Sequence, residues 1–332
     1  MASDLHPLLA EVRPGASRLR SARDEKERAE FAEAVLKGLA RRPRSIPCRF
    51  LYDAVGSALF EEITKLDEYY PTRVETAMLQ TLGAEIAEIT GDAEILVEFG
   101  SGSSRKTSLL LSALESVHSY VPIDVSQASL AEAKKWLAAR HRDLAIKPLV
   151  ADFTATRKLP SGSRGAKLGF FSGSTIGNLG HDEAKAFLAN ATRLLGSGSA
   201  FLIGVDVKKS LDILLPAYDD DQGVTASFSL NLLARVNREL GGDVDISRFA
   251  HEASYNEREG RIEIHLKSLT KQTVRVLGRE FAFRRGERIH TENSHKYTLA
   301  EFQDLASSSG WRPVVAWTDD ENLFSLHLLR LS

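Results

Sequence analysis

The feature that most restricts the fold of this chain is a regular alternation of short apolar runs with helix-like stretches between residues 94 and 205. Each run has the length and composition of a buried strand, and most are bounded by glycine or aspartate. Such an alternation predicts an α/β fold, with a parallel sheet joined by right-handed crossovers. The predicted strands are residues 94–99, 119–123, 145–150, 168–171 and 200–205, and the predicted helices are 75–89, 105–115, 127–141 and 182–195.

After Asp206 the pattern changes to a helix over 226–240 and several β-like segments, including a hairpin signal at Glu257–Gly260. A helix over 299–308 and two strands, 313–318 and 324–331, then complete the sheet begun near residue 94. We therefore predict two domains. The larger is an α/β domain of residues 73–206 plus 298–332, and the smaller is an α+β domain of residues 20–72 plus 207–297. In the N-terminal part we expect a polar arm over residues 14–23, a helix over 24–39 and a short helix over 57–65.

The charge balance excludes some classes of function. The 332 residues carry 43 basic and 45 acidic side chains, whereas a general nucleic-acid-binding protein usually has a basic excess. Cys48 is the single cysteine, so an intrachain disulfide is impossible and a cysteine-based zinc site is not expected; we expect no metal site of any kind. No stretch approaches the roughly 20 apolar residues of a membrane span, and residues 1–20 lack the features of a signal peptide. A cytoplasmic protein is the expectation, acting on a small molecule without nucleic acid or membrane; the oligomeric state stays open, with a monomer as the working expectation.

The strongest local signal is the loop Gly100-Ser101-Gly102, which joins the first predicted strand to a helix. Glycines allow a tight turn and a close approach of a ligand, and a helix start offers free amide hydrogens. Arg105 stands where a dinucleotide fingerprint has its third glycine, which disfavours a pyrophosphate cofactor. Asp124 ends the next strand, where it can bind ribose hydroxyls, and Asp152-Phe153 follows the third strand, where it suits an adenine ring. These signals favour a nucleoside ligand over purely structural turns.

The same residues resemble class I methyltransferases, whose Rossmann-like sheet binds S-adenosylmethionine. Gly100, Gly102, Asp124 and Asp152 match that pattern, and the resemblance implies that the Gly100–Gly102 loop lies against the methionine part of the donor. Lys106, early in the first crossover helix, is compatible with two interpretations: contact with the methionyl carboxylate, or a solvated helix lysine.

Six further motifs, spread from about residue 40 to residue 330, resemble the histidine-specific Nα-methyltransferases of ergothioneine biosynthesis. The family implies three methyl transfers from S-adenosylmethionine to the α-amino group of L-histidine, which gives trimethylhistidine (hercynine). The matching segments are Phe50–Ser57, Glu68–Arg73, Glu98–Ser103, Gly173–Leu179, Ala217–Asp220 and Thr291–Ser294.

The resemblance implies a role for each matching residue. Tyr69, Glu292 and Ser294 correspond to the group that binds the imidazole, which has two nitrogens for hydrogen bonding. Ile264 stands where the family often has Met, at a position expected to line the substrate pocket. His265 replaces a common aromatic residue, and strand alternation predicts that it lies on the opposite face from Ile264.

The remaining roles concern the reacting end of the amino acid. Asn178 and Tyr218 correspond to the pair that binds the carboxylate, and Tyr52 to a tyrosine near the methyl donor and the amine. The amine must lose its proton before attack, either to water or through Tyr52. Taken singly, each of these residues also has a purely structural interpretation, such as a core aromatic residue or a turn asparagine.

Three other functions stay open. An Nα-methyltransferase for another aromatic amino acid, such as tryptophan, is the nearest alternative. Retention of both Glu292 and Ser294 disfavours it, because an indole ring offers only one donor and would leave Glu292 poorly satisfied. A nicotinamide-dependent oxidoreductase and a non-catalytic S-adenosylmethionine-binding protein are the others.

Overall fold

The computed structural model describes residues 22–331, which form two compact units. One unit contains the described chain up to Tyr69 together with Leu211–Glu257 and Ile262–Asn293. The other contains Tyr70–Ser210, Arg258–Arg261 and the described residues from Ser294 onward. We call them the small unit and the sheet unit. The expected polar arm lies outside the described residues except at its last two positions, which begin the first helix.

Within residues 22–331 the chain forms nine α-helices and fourteen strands, with short 3-10 helices at Cys48–Leu51, Thr175–Asn178, Pro216–Tyr218 and Ile246–Arg248. The helices are α1 (Ala22–Ala40), α2 (Ala54–Ile63), α3 (Tyr70–Thr90), α4 (Arg105–Ala113), α5 (Gln127–Ala138), α6 (His181–Leu195), α7 (Leu211–Leu214), α8 (Val224–Leu240) and α9 (Leu299–Ser307). The strands are β1 (Arg44–Ser45), β2 (Ile95–Phe99), β3 (Ser119–Asp124), β4 (Ala145–Ile146), β5 (Leu149–Val150), β6 (Lys167–Phe171), β7 (Ala200–Asp206), β8 (Phe249–Asn256), β9 (Arg261–Ser268), β10 (Gln272–Val276), β11 (Arg279–Phe283), β12 (Arg288–His295), β13 (Trp311–Thr318) and β14 (Phe324–Leu331). No helix in this range is long and apolar enough to cross a bilayer.

The sheet unit is built on an eight-stranded sheet in the order β13-β14-β7-β6-β2-β3-β4, with β5 also paired to β3. The strands from β7 to β4 run parallel, and β13 and β14 form an antiparallel hairpin at one end. Every residue of β2 and β7 is buried, as parallel sheets covered on both faces require. The prediction of a parallel α/β sheet closed by a C-terminal hairpin is confirmed.

Two apolar clusters cover the faces of this sheet. Strand alternation sends Ile95, Val97 and Phe99 into one cluster and Leu96 into the other. The first cluster also holds one side of α6 and α9, and the second holds one side of α3 and α4. The strand ends, and the loops that follow them, are therefore held on a rigid core.

Two predicted boundaries in this unit are wrong. Helix α3 begins at Tyr70, five residues before the predicted start, because Pro71 fits the first turn of a helix, where no backbone donor is needed. The strand predicted over 145–150 is divided into β4 and β5, which pair with the start and the end of β3. Pro148 lies between them and cannot donate a ladder hydrogen bond.

The small unit has a four-stranded sheet in the order β1-β12-β9-β8 and a separate hairpin of β10 and β11. Burial alternates strictly along β9: Ile262, Ile264 and Leu266 are buried, and their neighbours, including His265, are half-exposed. The predicted placement of Ile264 and His265 on opposite faces is therefore confirmed. Strand β1, which pairs parallel to β12 through Arg44 and Ile289, has no signal in the sequence because two residues carry no periodicity.

Candidate active site

The chain order of the sheet reverses between β2 and β6. From β2 the chain proceeds outward through β3 to β4, and β6 and β7 are then added on the other side of β2. In open parallel sheets, ligands bind beyond the carboxyl ends of the strands at such a reversal. The loops that follow β2 and β6 lie at this point, and both contain glycines with positive φ.

The loop after β2 has the conformation expected of a ligand-binding turn. Gly100 and Gly102 have φ of 69° and 50°, and a Cβ built on Gly102 meets no atom within 4 Å. The Gly102 N–H donates to Asp124 at 2.9 Å, and the Ser126 N–H donates to the other carboxylate oxygen at 2.8 Å. Burial raises the pKa of Asp124, although these backbone donors oppose the shift. Ser101 Oγ is buried without a hydrogen-bond partner among the described residues, which is what a loop with a missing ligand would leave.

The aspartate that follows the third predicted strand makes local hydrogen bonds of its own. Asp152 accepts hydrogen bonds from the N–H and the hydroxyl of Thr154, at 2.9 and 2.6 Å. The Phe153 ring packs against those of Phe171 and Phe187, with centroids 5.2 and 5.4 Å away. A Cβ on Gly100 would lie 3.5 Å from Phe153, so this ring and the glycine loop are neighbours. The structure thus places Gly100 next to Phe153 and joins Gly102 to Asp124 by a hydrogen bond.

Lys106 is only partly exposed, with 19% of its side chain accessible to solvent. Its ammonium group pairs with Glu75 of α3, whose carboxylate is fully buried and also accepts the Gly173 N–H at 2.8 and 3.0 Å. A Cβ on Gly204 would lie 2.1 Å from Glu75 Oε1, so glycine is required there. Lys106 therefore anchors α4 to α3 and to the loop after β6. Sequence reasoning missed Glu75, which has no motif around it.

A second acidic group lies under the glycine loop. Glu98, the fourth residue of β2, is buried and accepts hydrogen bonds from Tyr120 and from Thr107 Oγ1, the latter at 2.7 Å. Burial raises the pKa of Glu98 to about 8, and the hydrogen bonds from Tyr120 and Thr107 only partly oppose it. Glu98 is thus a neutral acid at pH 7 that connects β2, β3 and α4.

Asn178 ends the 3-10 helix Thr175–Asn178, in the loop after β6. This loop is held by Ser174, which has a φ of 54° and whose hydroxyl accepts the Asp206 N–H at 2.9 Å. Gly177 allows a close approach to His295, since a Cβ there would lie 2.7 Å from the His295 carbonyl oxygen. Asn178 is therefore carried on a loop with several fixed points.

In the small unit, Tyr52 directly precedes the cap of α2. Asp53 accepts the Gly56 N–H at 2.8 Å and an Asn231 amide hydrogen at 2.8 Å, and it pairs with Arg238 of α8. A Cβ on Gly56 would lie 1.7 Å from the Leu51 carbonyl oxygen. The Phe50–Ser57 motif is thus explained by the local requirements of a capped helix that fixes Tyr52 relative to α8.

Three of the expected substrate residues share one aromatic cluster. The ring of Tyr52 lies 5.6 Å from Phe60 and 5.3 Å from Phe228, and Phe60 lies 6.1 Å from Tyr69. The rings of Tyr69 and Tyr218 are 6.2 Å apart at a steep angle. Edge-to-face packing of this kind orients each ring.

His251 fixes the backbone of Tyr218. Its Nε2 lies 2.8 Å from the Tyr218 carbonyl oxygen, and its Nδ1 lies 3.0 Å from Ser229 Oγ. A carbonyl can only accept, so Nε2 carries the proton and Nδ1 accepts from Ser229. Burial lowers the pKa of His251, which keeps this neutral form. No motif in the sequence singles out His251.

Ile264 and Glu292 lie on neighbouring strands of the small unit. Ile264 is 1% exposed, and its carbonyl accepts from the Thr291 hydroxyl at 3.2 Å. Glu292, half-buried on β12, follows Thr291 directly. Among residues 22–331 no three histidine, cysteine or carboxylate side chains are placed to hold a metal ion.

Ser294 belongs to a buried charged cluster of the sheet unit, which we call the Asp206 cluster: Tyr70, Asp206, Lys209, Ser294 and Lys296. The Lys296 ammonium lies 2.8 Å from Ser294 Oγ and 2.6 Å from Asp206. Asp206 also accepts from Lys209 at 2.5 Å and from Tyr70 at 2.7 Å. Burial alone would raise the pKa of Asp206, but the two lysines outweigh it and the pKa is lowered. Of this cluster only Ser294 was expected at the site.

The comparisons with known proteins are consistent across the chain. Residues 31–331 match the model of a family described as histidine-specific, S-adenosylmethionine-dependent methyltransferases. A histidine Nα-methyltransferase of Mycolicibacterium smegmatis is 41% identical over 300 residues, covering 89% of this chain and 92% of that one. The ergothioneine biosynthesis protein 1 of Neurospora crassa is 33% identical over 87% of this chain and 33% of its own.

A more distant relative bears on the substrate. An L-tryptophan methyltransferase of Psilocybe serbica is 29% identical over 90% of this chain and 92% of its own. The family match covers nearly all of the described residues, and it agrees with the strand-end loop and the parallel sheet. The chain therefore belongs to the histidine-specific, S-adenosylmethionine-dependent methyltransferases.

Proposed function

We propose that this protein transfers three methyl groups from S-adenosylmethionine to the α-amino nitrogen of L-histidine, giving hercynine. The observation that carries the proposal is the match of residues 31–331 to a family defined by histidine specificity. The 41% identity to a histidine Nα-methyltransferase over 89% of the chain supports the same substrate.

The loop after β2 is proposed to bind the methyl donor, which supplies an electrophilic methyl group on a sulfonium. The open face of Gly102 and the unsatisfied hydroxyl of Ser101 fit such a ligand. Asp124 accepts the Gly102 and Ser126 N–H groups at different oxygens, and a carboxylate has about four lone-pair sites, so it can also accept the ribose hydroxyls. Phe153 is proposed to contact the adenine ring and Asp152 its amino group. Lys106 is proposed to reach the methionyl carboxylate, with Glu75 setting its position.

The substrate is proposed to be bound by residues of distinct chemistry at its two ends. Asn178 and the Tyr218 hydroxyl bind the carboxylate as neutral donors. Tyr69, Glu292 and Ser294 bind the imidazole, and Ile264 lines the ring pocket. The edge-to-face contact of Tyr69 with Tyr218 supports a fixed spacing between the two ends.

Tyr52 is proposed as the catalytic residue next to the amine. The amine must be deprotonated before attack, and it becomes cationic again as each methyl is added. Aromatic faces stabilise such a cation, and Tyr52 lies among Phe60 and Phe228. Since methyl transfer is an in-line displacement, orientation of the amine by these residues dominates the rate.

The remaining expectations complete the proposal. Residues 73–206 plus 298–332 act as the S-adenosylmethionine-binding domain, and 20–72 plus 207–297 as the substrate-binding domain. The protein acts in the cytoplasm on a small molecule, as a monomer. Size-exclusion chromatography with light scattering tests the oligomeric state.

Calorimetric titration of histidine in the presence of S-adenosylhomocysteine tests the substrate. We expect histidine to bind and Glu292→Ala to weaken binding by at least tenfold, because a ring N–H loses its acceptor. The matched control is Glu257→Ala, which removes a carboxylate from the hairpin loop after β8. This variant should bind histidine with wild-type affinity. Unchanged histidine affinity in Glu292→Ala would show that Glu292 does not bind the substrate.

A second candidate is an Nα-methyltransferase for another aromatic amino acid such as tryptophan. Ile264 favours it, because this buried side chain is shorter than the Met that the family often has and is β-branched, which changes the shape of the proposed ring pocket. The resemblance to a tryptophan methyltransferase at 29% identity also favours it. Titration with tryptophan in place of histidine separates the two functions: heat with tryptophan and none with histidine would establish the second.

A further inference from the structure

We infer that His251 is a positioning residue that holds Tyr218 in place for the carboxylate of the substrate, so that substrate affinity depends on the hydrogen bond from His251 to the Tyr218 backbone. The inference rests on the proposed function, in which the Tyr218 hydroxyl binds that carboxylate. It extends the proposed site to strand β8, which contains none of the family motifs.

Tyr218 ends a 3-10 helix of three residues between α7 and α8. Its N–H donates to the Leu215 carbonyl at 3.0 Å, which fixes the chain on one side of it. On the other side, the Asp220 carboxylate accepts the N–H groups of Val224 and Thr225 at 2.9 and 2.8 Å and so ties the chain to the start of α8. The last carbonyl groups of a helix have no partner within the helix, so the Tyr218 carbonyl takes its donor from another part of the chain.

His251 supplies this donor from β8. Its Nε2 lies 2.8 Å from the Tyr218 carbonyl oxygen, and its Nδ1 lies 3.0 Å from Ser229 Oγ on α8. The His251 side chain is 2% exposed and Ser229 is 1% exposed, so the ring is enclosed by protein and bound at both nitrogens. Helix α8 therefore holds Tyr218 in two ways, directly through Asp220 and indirectly through Ser229 and the His251 ring.

The hydrogen bond to Tyr218 does not depend on the charge of the His251 ring. In the neutral ring Nε2 carries the proton, because a carbonyl can only accept, and in the protonated ring both nitrogens carry one. Burial lowers the pKa of His251, although the hydrogen bond to Tyr218 and the nearby carboxylates of Asp219, Asp220 and Glu252 oppose the shift. The ring is therefore neutral at pH 7.5, and it acts on Tyr218 as a hydrogen-bond donor without adding a charge.

A small rotation of the Tyr218 backbone produces a larger displacement of its hydroxyl, because the phenol oxygen is the atom of the side chain farthest from the main chain. The ring of Tyr69, with its centroid 6.2 Å away, orients the Tyr218 ring but does not bind its carbonyl. A misplacement of about 1 Å can reduce catalytic efficiency on the order of 100-fold. Loss of the donor from His251 should therefore reach the substrate through the Tyr218 hydroxyl.

The experiment is a double-mutant cycle on the Kd for histidine, measured by calorimetry at pH 7.5 with S-adenosylhomocysteine present. The four proteins are wild type, His251→Leu, Tyr218→Phe and the variant with both substitutions. We expect histidine binding to weaken by about fivefold or more in His251→Leu and by about tenfold in Tyr218→Phe, since each loses one hydrogen bond. Because His251 acts through the Tyr218 hydroxyl, the double variant should bind histidine within about twofold of Tyr218→Phe.

Two further variants test whether the hydrogen bond is the cause. In His251→Gln the amide nitrogen can take the place of Nε2 and donate to the Tyr218 carbonyl, so most of the wild-type affinity should return. His265→Leu is the matched control, because it removes a histidine ring from the neighbouring strand β9 on the face opposite Ile264. This control should bind histidine with wild-type affinity. A general loosening of the fold in His251→Leu would persist when the Tyr218 hydroxyl is absent, whereas an effect through that hydroxyl disappears.

The outcomes separate this inference from the proposed function. If wild type binds histidine and His251→Leu binds it equally well, His251 does not position Tyr218 for the substrate. The same conclusion follows if the losses of affinity in His251→Leu and Tyr218→Phe multiply in the double variant, or if His251→Gln binds as weakly as His251→Leu. If wild type does not bind histidine, or if Tyr218→Phe binds it as wild type does, the proposed substrate or the proposed role of Tyr218 is wrong and this inference fails with it.

Discussion

At the scale of single residues, the role proposed for Tyr52 is chemically the most specific. Tyr52→Phe removes one hydroxyl and leaves a ring that can keep the packing against Phe60 and Phe228. If the Tyr52 hydroxyl acts on the amine during transfer, as proposed, the rate of methyl transfer should fall by about tenfold or more while the Kd for histidine changes little. Single-turnover rates with bound S-adenosylmethionine, compared with calorimetric Kd values, measure the two effects separately.

Tyr255→Phe is the matched control for this prediction, since it removes a tyrosine hydroxyl from β8 of the same unit. It should leave both quantities at wild-type values. An equal loss of rate and of affinity in Tyr52→Phe would make Tyr52 a binding residue only. A wild-type rate would leave deprotonation of the amine to water.

Residue types at strand ends could be predicted from the sequence, but their partners could not. The strand-end position of Asp124 follows from the pattern, and the structure adds that the Gly102 N–H donates to it. Lys106 illustrates the limit. Its partner Glu75 lies 31 residues earlier on another helix, and no local pattern connects the two.

At the scale of elements, β2 contains a buried acid whose ionisation opposes folding. The pKa of Glu98 is raised by burial to about 8. The folded state therefore holds a proton that the unfolded state has lost, and wild type loses stability as pH rises from about 4.5 to about 8. Glu98→Gln keeps an amide that can accept from Tyr120 and Thr107 and does not titrate. We expect its free energy of unfolding, relative to wild type, to increase by a few kcal/mol over this range.

Urea unfolding of both proteins at half-unit intervals from pH 5 to pH 8.5 measures this difference. Glu94→Gln, outside the strand and just before β2, is the control, and its difference from wild type should stay constant with pH. A constant difference for Glu98→Gln as well would mean that Glu98 is ionised in the folded protein.

Helices and strands could be predicted where an apolar pattern extends over a whole element. The residues at which the elements begin and end could not. Strands β2, β3, β6 and β7 have nearly continuous apolar runs because both faces of the sheet are buried there, so each was found. The helix predicted over 75–89 begins at Tyr70 instead, because Pro71 fits the first turn of α3. The pairing of β1 with β12 joins residues more than 240 positions apart in the chain, and local periodicity gives no information about such contacts.

At the scale of the whole molecule, the family motifs contain the side chains that are proposed to bind the substrate. They do not contain the residues that fix the positions of those side chains. The motif around Glu292 and Ser294 is visible in the sequence, but the ion pair between Asp206 and Lys296 joins residues 90 positions apart. His251 is similar, since its bond to the Tyr218 carbonyl depends on how β8 packs against α8. Supporting residues of this kind are selected for burial and geometry, and neither leaves a periodic pattern.

Stability of the molecule should depend on pH through three histidines that full or partial burial keeps uncharged. The pKa values of His265, His295 and His327 are each lowered to about 4, first of all by burial. In the unfolded chain these rings have pKa values of about 6.5, so below that pH the unfolded state binds protons that the folded state does not. The stability present above pH 6.5 is therefore lost as pH falls toward 4. Each histidine contributes up to about 1.4 kcal/mol per pH unit to the slope.

His327 offers the sharpest test because it is 1% exposed and has one described hydrogen bond, to Ser325 at 3.0 Å. We expect His327→Gln to be less stable than wild type at pH 7.5, since the packing against Phe302 is disturbed, and to lose less stability between pH 7 and pH 5. His181→Gln, at the exposed start of α6, is the control and should keep the wild-type slope. Urea unfolding at each pH measures the slopes. Equal slopes for His327→Gln and wild type would show that His327 takes up its proton in the folded protein as readily as in the unfolded chain, and the loss of stability in acid would then have to come from the other buried groups.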